Sequence, residues 1–305
     1  MKMKYSSDEI GLTSINFVDK HTVPVNNINS AFALFKTILY ILIKLKRKKS
    51  QKKIRTKNEV IKEYNSYWGK IYETKFWKEA KDFEAFNFQR NIPGSGLPKY
   101  VLMRGKLCEM SEYNFFKYQA IICLEQLKKF TQSNDVVVEV GCGWGINLFN
   151  LVALNFKNKL EGYDLTDGGI KIAREINKQF NCNITLGMID LTTDFSSIDL
   201  TGKTVFTHYT MEQMKYDTAK VIENLIKSKP KQVLHFEPIM ELHTSGLRDR
   251  LCKMYIKSND YQDNLLTTLK SFEKEGKLEI LDIRRLGYGA KLYYETSFIH
   301  WIPKV

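Results

Sequence analysis

The 305-residue sequence predicts an α/β fold, with a mostly parallel sheet covered by helices on both faces and a helical N-terminal extension. Three features predict it. Short apolar strand-like runs alternate with helix-like stretches from Val136 to Phe236. A bare turn holding Gly141, Gly143 and Gly145 directly follows the first of those runs, in "VVVEVGCGWGIN". The segment from Lys277 to Val305 then supplies two strand-like runs joined by a glycine-containing loop, a hairpin that adds an antiparallel strand to the sheet.

Hydrophobic content of 43% supports a sizeable core, and the formal charge of +13 is high. Nine Lys or Arg and no acid fall between Lys44 and Lys57, so the excess is local and points to an anionic partner. Just before it, Ala31–Leu45 has twelve apolar residues out of fifteen. A membrane-spanning helix needs about 20, so this run is short for a span. Its positive cluster follows rather than leads, which argues against a signal peptide. As a helix it carries Ser30, Thr37 and Lys44 on one narrow stripe.

Three partners fit residues 31–57. They are an anionic membrane surface, the catalytic domain or a second subunit, and RNA. Residues 58–92 then interleave Trp, Tyr and Phe with Lys and Glu at helical spacing, as in Tyr64, Tyr67, Trp68, Ile71 and Tyr72, which suits packing or a lid over substrate. "NIPGSGLPKY" reads as a loop, and the chain divides into an extension, 1–110, and a main domain, 111–305.

Ser111 and Glu112 open a helix whose apolar positions run through Phe116, Ala120, Leu124 and Leu127. Strands are expected at Val136–Val140, Lys159–Tyr163, Ile184–Ile189, Thr204–Thr207 and Val233–Phe236, with helices at Ile146–Leu154, Ile170–Phe180 and Thr218–Lys227 between them. Ile239–Lys274 reads as largely helical. The five cysteines form no CxxC pair, which suits a reducing cytoplasm, and no spacing argues for a metal.

A glycine turn between strand and helix is the context of a nucleotide-like ligand. Ile146 stands where a pyrophosphate-binding turn wants a third glycine at that spacing. Asp164 ends the second strand, where it suits ribose hydroxyls, and Asp190 ends the third in "GMIDL", where it suits an adenine amino group. "EVGCGWG", "GYDLTDGGIKIARE" and "GMIDL" resemble, in order, the cofactor motifs of class I S-adenosylmethionine-dependent methyltransferases over roughly residues 111–305. That resemblance implies a Rossmann-like seven-stranded sheet of order 3-2-1-4-5-7-6 with S-adenosylmethionine as cofactor. It places Glu139, Gly141, Gly143 and Gly145 by the methionine moiety, Asp164 and Leu165 by the ribose, and Asp190 with Ile189 or Leu191 by the adenine. Tyr113, at the head of the preceding helix, joins this set.

"VFTHYTMEQM" at the fourth strand's exit lacks the Asn- or Asp-Pro-Pro-aromatic motif of nucleic-acid amino-methylases, and resembles small-molecule methyltransferases with Gln213 where a His often stands. Later phrases, from "VLHFEP" to "TSFIHW", resemble methyltransferases of bacterial surface-glycan biosynthesis. The expected acceptor is therefore a hydroxyl on a glycan or lipid-linked sugar, at the inner face of the membrane. His208 is the expected general base, with Glu212 and Glu237 as further catalytic candidates, while His235 is read as packed within its strand. Two rival readings are a methyltransferase acting on RNA or protein, and a non-catalytic cofactor-binding scaffold.

Overall fold

The computed structural model describes residues 23–24, 27–51, 56–79, 83, 100–103, 106–193, 195–289 and 294–304. Its centre is a seven-stranded sheet made of β4 (Val136–Val140), β5 (Lys159–Asp164), β6 (Thr185–Met188), β7 (Thr204–His208), β8 (Gln232–Glu237), β9 (Leu278–Arg285) and β11 (Ser297–Pro303). The order is β6-β5-β4-β7-β8-β11-β9. Counted from β4, that is the expected 3-2-1-4-5-7-6. The pairs from β6 to β8 are parallel, and β11 runs antiparallel to both β8 and β9. β4 and β8 are covered on both faces and almost wholly buried, so the polar side chains they carry, Glu139 in β4 and Gln232, His235 and Glu237 in β8, are buried among apolar neighbours.

Helices α3 (Glu112–Phe130), α4 (Ile146–Ala153) and α5 (Asp167–Phe180) cover one face. Leu124, Leu148, Phe149 and Ile170 form the core there. On the other face α6 (Thr218–Lys227) and α8 (Leu265–Lys274) place Val221, Leu225, Leu265 and Leu269 against Val233 and Trp301. Ser111 caps α3 as expected, its Oγ accepting from the Asn114 amide at 3.3 Å. The stretch expected to be largely helical after Ile239 breaks into a short 3₁₀ turn, α7 (Leu247–Ser258) and α8.

The extension carries strands that its composition did not announce. β1 (Val23–Pro24), β2 (Tyr100–Met103) and β3 (Lys106–Glu109) pair antiparallel, and β10 (Tyr288–Gly289), from the loop between β9 and β11, completes this small sheet. Helix α1 (Asn27–Gln51) packs on α7, and α2 (Lys57–Thr74) packs on α5. Thr56 and Glu59 form a reciprocal capping box at the start of α2, which sets where that helix begins. Ile71 of α2 and Trp77 beyond it are buried in the same core as α4 and α5. "NIPGSGLPKY" lies outside the described residues up to Lys99.

A buried polar chain ties the sheet's centre to the loop after β7. Trp301 Nε1 donates to His235 Nε2 at 2.9 Å, so the other ring nitrogen of His235 carries the proton and donates to Thr207 Oγ1 at 2.9 Å. Thr207 donates in turn to Glu237 Oε1 at 2.7 Å. Burial pushes the His235 pKa down to about 3, which keeps the ring neutral and in this tautomer. His235 is thus a packed residue, as its place within the strand suggested.

Two substitutions test these supports. Trp301→Phe keeps a buried ring but strips His235 Nε2 of its donor, and should cost about 1–3 kcal/mol in urea unfolding. At Gly141 the backbone is left-handed, with φ +77°, and an added Cβ would lie 2.1 Å from Thr210 Cγ2. Gly202 has a similar φ of +69° but open space around it. Gly202→Ala should therefore cost only about 1 kcal/mol, the backbone term alone, while Gly141→Ala should cost roughly 2–4 kcal/mol with the clash added.

Candidate active site

The carboxyl ends of parallel strands open into a crevice where the strand order reverses, here between β4 and β7. A cavity of about 400 Å³ sits there, within the range of small-molecule sites. Its lining includes Glu139, Gly141, Gly143, Asp164, Leu165 and Leu191. It also includes His208, Tyr209, Gln213, Phe115, Gln119 and Tyr294. The cofactor-like and acceptor-like residues read from the sequence thus share one space.

Local geometry explains the glycine turn. The amides of Gly141 and Cys142 both donate to Tyr163 O, at 2.7 and 3.1 Å, which pins the turn to the end of β5. Gly143 N donates to Asp164 Oδ2 at 2.7 Å, while Asp164 Oδ1 accepts from Thr166 N at 2.7 Å. The carboxylate of Asp164 is thereby held at the rim of the cavity. A Cβ on Gly143 would sit 3.3 Å from the Trp68 ring, so bareness here lets α2 close over the turn. Gly145 does not line the cavity; it is the left-handed N-cap of α4, bare because Phe149 lies 3.0 Å from where its Cβ would be.

Glu139 is the most strongly placed acid. It is fully buried, and Oε1 accepts from Asn147 Nδ2 at 2.6 Å. Oε2 is buried with no hydrogen-bond partner among the described residues. Burial pushes the Glu139 pKa up to about 8, and the nearby carboxylates of Asp164 and Glu237 add to the rise. A buried carboxyl with one oxygen unmatched beside a cavity calls for a cationic or donor ligand.

His208 ends β7 and lines the cavity, its Nε2 buried without a partner among the described residues. Burial lowers its pKa to about 4, so the ring is neutral at ordinary pH. Tyr209 follows in a left-handed conformation, φ 55°, with its hydroxyl on Thr296 Oγ1 and its ring stacked on Tyr294 at 5.4 Å between centroids. The residue pair that the loop projects into the cavity is therefore His208 and Tyr209.

The remaining predicted residues fall elsewhere. Glu237 does not line the cavity: its Oε1 accepts from the amides of Thr210 and Met211, at 2.9 and 3.0 Å, as well as from Thr207. That makes it a brace beneath the loop, and burial lifts its pKa to about 7 despite those bonds. Glu212 is buried beside the site rather than in its wall, and Gln213 Nε2 donates to its Oε1 at 2.8 Å. Asp190 is also outside the wall. Its carboxylate takes Lys57 Nζ, and its Oδ1 accepts from Thr192 N at 3.0 Å. Ile189 and Leu191, on either side, do face the cavity. Tyr113 belongs to the first turn of α3, and its side chain lies outside the described residues.

The sequence reading did not assign the roof. Val60, Ile61, Tyr64 and Trp68 of α2 line the cavity from above, and Phe116 of α3 joins them. The signal was present in the helical spacing of Tyr64 and Trp68, which suited either packing or a lid. Tyr67 and Ile71 on the same helix pack into the core.

A second buried polar group, His243, Asp249 and Glu295, brings ligand-type atoms within 4.8 Å of one another. Its charge is already matched. Arg285 Nη1 and Nη2 donate to Asp249 at 3.1 and 3.0 Å, its Nε donates to Glu295 at 3.1 Å, and Arg248 Nη2 reaches Glu295 at 3.2 Å. These guanidinium bonds hold the Asp249 carboxyl well below its usual range and tie α7 to β9.

No family model and no curated protein matches this chain. Among solved structures it is similar to magnesium protoporphyrin IX methyltransferase from Synechocystis PCC 6803, at 13% identity and TM-score 0.46, over 63% of this chain and 85% of that one. A SAM-dependent methyltransferase from Aquifex aeolicus is similar at 16% identity and TM-score 0.40, over 59% and 89% of the two chains. The pyocyanin biosynthetic protein PhzM is similar at 10% identity and TM-score 0.47, over 61% and 56%. Identities and superpositions this low do not carry function from one chain to another.

Proposed function

We propose that this chain is an S-adenosylmethionine-dependent methyltransferase that methylates a hydroxyl oxygen, with a sugar ring as the acceptor. One observation carries the reading: a single cavity joins the orphaned Glu139 and the bare glycine turn to His208 and Tyr209.

The residues fit the cofactor. Glu139 Oε2 has a buried acceptor to offer an ammonium group. Gly143 leaves a cradle where a side chain would intrude, and Asp164 stands at the rim for ribose hydroxyls. Leu165, Ile189 and Leu191 form an apolar slot for a purine. When bound, S-adenosylmethionine supplies a methyl group activated by a sulfonium.

The chain's own part is placement and proton removal. Placement alone is worth about 7–11 kcal/mol of barrier where the geometry is good. Val60, Ile61, Tyr64 and Trp68 line the cavity with apolar and aromatic surface, which would limit water around a bound acceptor. His208, neutral because it is buried, accepts the hydroxyl proton at Nε2. A sugar ring suits the acceptor end because it offers C–H faces to Phe115, Tyr209 and Tyr294 and hydroxyls to Gln119 and Gln213.

Calorimetry with S-adenosylmethionine tests the cofactor. Glu139 is protonated below about 8 in the free protein, and an ammonium partner favours its ionised form. Binding at pH 7 should thus release a proton, and affinity should rise with pH up to about 8, by at most about tenfold per unit. Glu139→Gln should weaken binding and abolish the proton release; an unaltered proton balance would overturn this role. For the base, His208→Gln should lower kcat by about 10²–10⁴-fold. With cofactor saturating, the rate should fall only as pH drops through about 4, where the ring becomes charged. A limb near the ordinary histidine range would sink the assignment.

A further inference from the structure

Helix α1 has two faces with opposite surroundings. On one, Leu34, Thr37, Ile38, Ile41 and Leu45 pack against Leu251, Cys252 and Tyr255, and Lys44 reaches Asn259 Oδ1. The narrow polar stripe of Thr37 and Lys44 is thus turned inward, onto α7. On the other face, Phe32, Phe35, Leu39, Leu42 and Ile43 are 57%, 62%, 47%, 50% and 44% exposed. Their spacing puts them on one side of the helix. With Tyr40, α1 carries six of the eleven large apolar side chains exposed among the described residues. The other five are scattered, so this face is a patch rather than background.

Charge decides what covers it. No acid occurs between Asn27 and Asn58, and eight Lys or Arg follow the apolar run between Lys46 and Lys57. Lys44 and Lys57 are engaged within the protein, and exposed Lys46 continues the apolar face. A second copy docking in parallel through the same face would bring two such basic runs together, and in the antiparallel orientation each run would meet a helix with no acid to offset it. No described helix is long and apolar enough to cross a membrane. An apolar stripe running into a basic run suits a helix that lies in an anionic bilayer surface.

We propose that α1 is a membrane-docking helix, with Phe32, Phe35, Leu39, Leu42 and Ile43 entering the lipid interface and the basic run meeting anionic headgroups. The contact is near the site. Tyr40 stacks on Tyr255 at 6.4 Å, Tyr255 meets Tyr294 at 5.2 Å, and Tyr294 stacks on Tyr209 in the cavity wall at 5.4 Å. Three ring contacts therefore link the docking helix to the cavity, which holds the site at the membrane surface whichever acceptor is methylated.

The experiment is co-sedimentation of the full chain with vesicles of phosphatidylcholine alone and with phosphatidylglycerol added, at low and high salt. Binding should require the anionic lipid and weaken with salt. Phe35→Ser with Leu42→Ser should lower it by roughly tenfold or more, with thermal unfolding unchanged because both side chains are exposed. Equal binding to neutral and anionic vesicles, or binding indifferent to the double substitution, overturns the proposal. So does a failure to bind vesicles, whether the chain self-associates through this face or holds a single-stranded RNA instead.

Discussion

Everything in the cavity rests on one buried carboxylate, that of Glu237. Its Oε1 gathers the amides of Thr210 and Met211 and the hydroxyl of Thr207. Those amides belong to a loop that leaves β7 through a left-handed tyrosine, a conformation costly for a side chain of that size. Glu237 offsets that cost by giving the loop's orphaned donors a partner. With the loop held, Thr210 Oγ1 donates to Gly141 O at 3.1 Å, so the loop after β7 and the glycine turn become one unit. The chain from Trp301 through His235 and Thr207 then orients Glu237 across three neighbouring strands on one face of the sheet.

The extension does the complementary work from above. Lys57 at the start of α2 pairs with Asp190, and Asn65 Oδ1 accepts from Gly168 N at 3.4 Å. Trp68 sits over Gly143, and Gln179 Nε2 donates to Trp77 O at 2.7 Å, so α2 is held along its length against α5 and the glycine turn. Exposed ion pairs contribute little by themselves. The apolar burial of Ile71 and Trp77 in the main core is what seats the helix, and the polar contacts set its register.

Most of the sheet was legible because strand and helix signals here are local. β4 and α6 fall where apolar runs and helical spacing put them, residue for residue, and other boundaries move by one to three positions. The glycine turn was legible as a site for the same reason. The small sheet was not, because its strands are two to four residues long and, apart from the β2–β3 hairpin, pair with partners distant in the chain. Short strands leave no periodicity to count.

The sequence by itself determined the fold class and which strand ends form the crevice, since both follow from contiguous patterns, while the sheet order followed only from the resemblance of its motifs to a known family. Tertiary structure decided which titratable groups do which work. Glu139, Glu237 and His208 are each one acid or imidazole at a strand end or within a strand, and nothing local separates them. Their surroundings do. Asn147 satisfies only Oε1 of Glu139 at the cavity wall, backbone amides claim Oε1 of Glu237 away from that wall, and burial leaves His208 neutral with Nε2 unpaired among the described residues. The same holds for α1, whose composition did not say which of its sides packs: its polar stripe is turned inward onto α7 and one apolar side is left outside. Desolvation and hydrogen-bond supply come from residues distant in the chain, so a linear pattern cannot carry them.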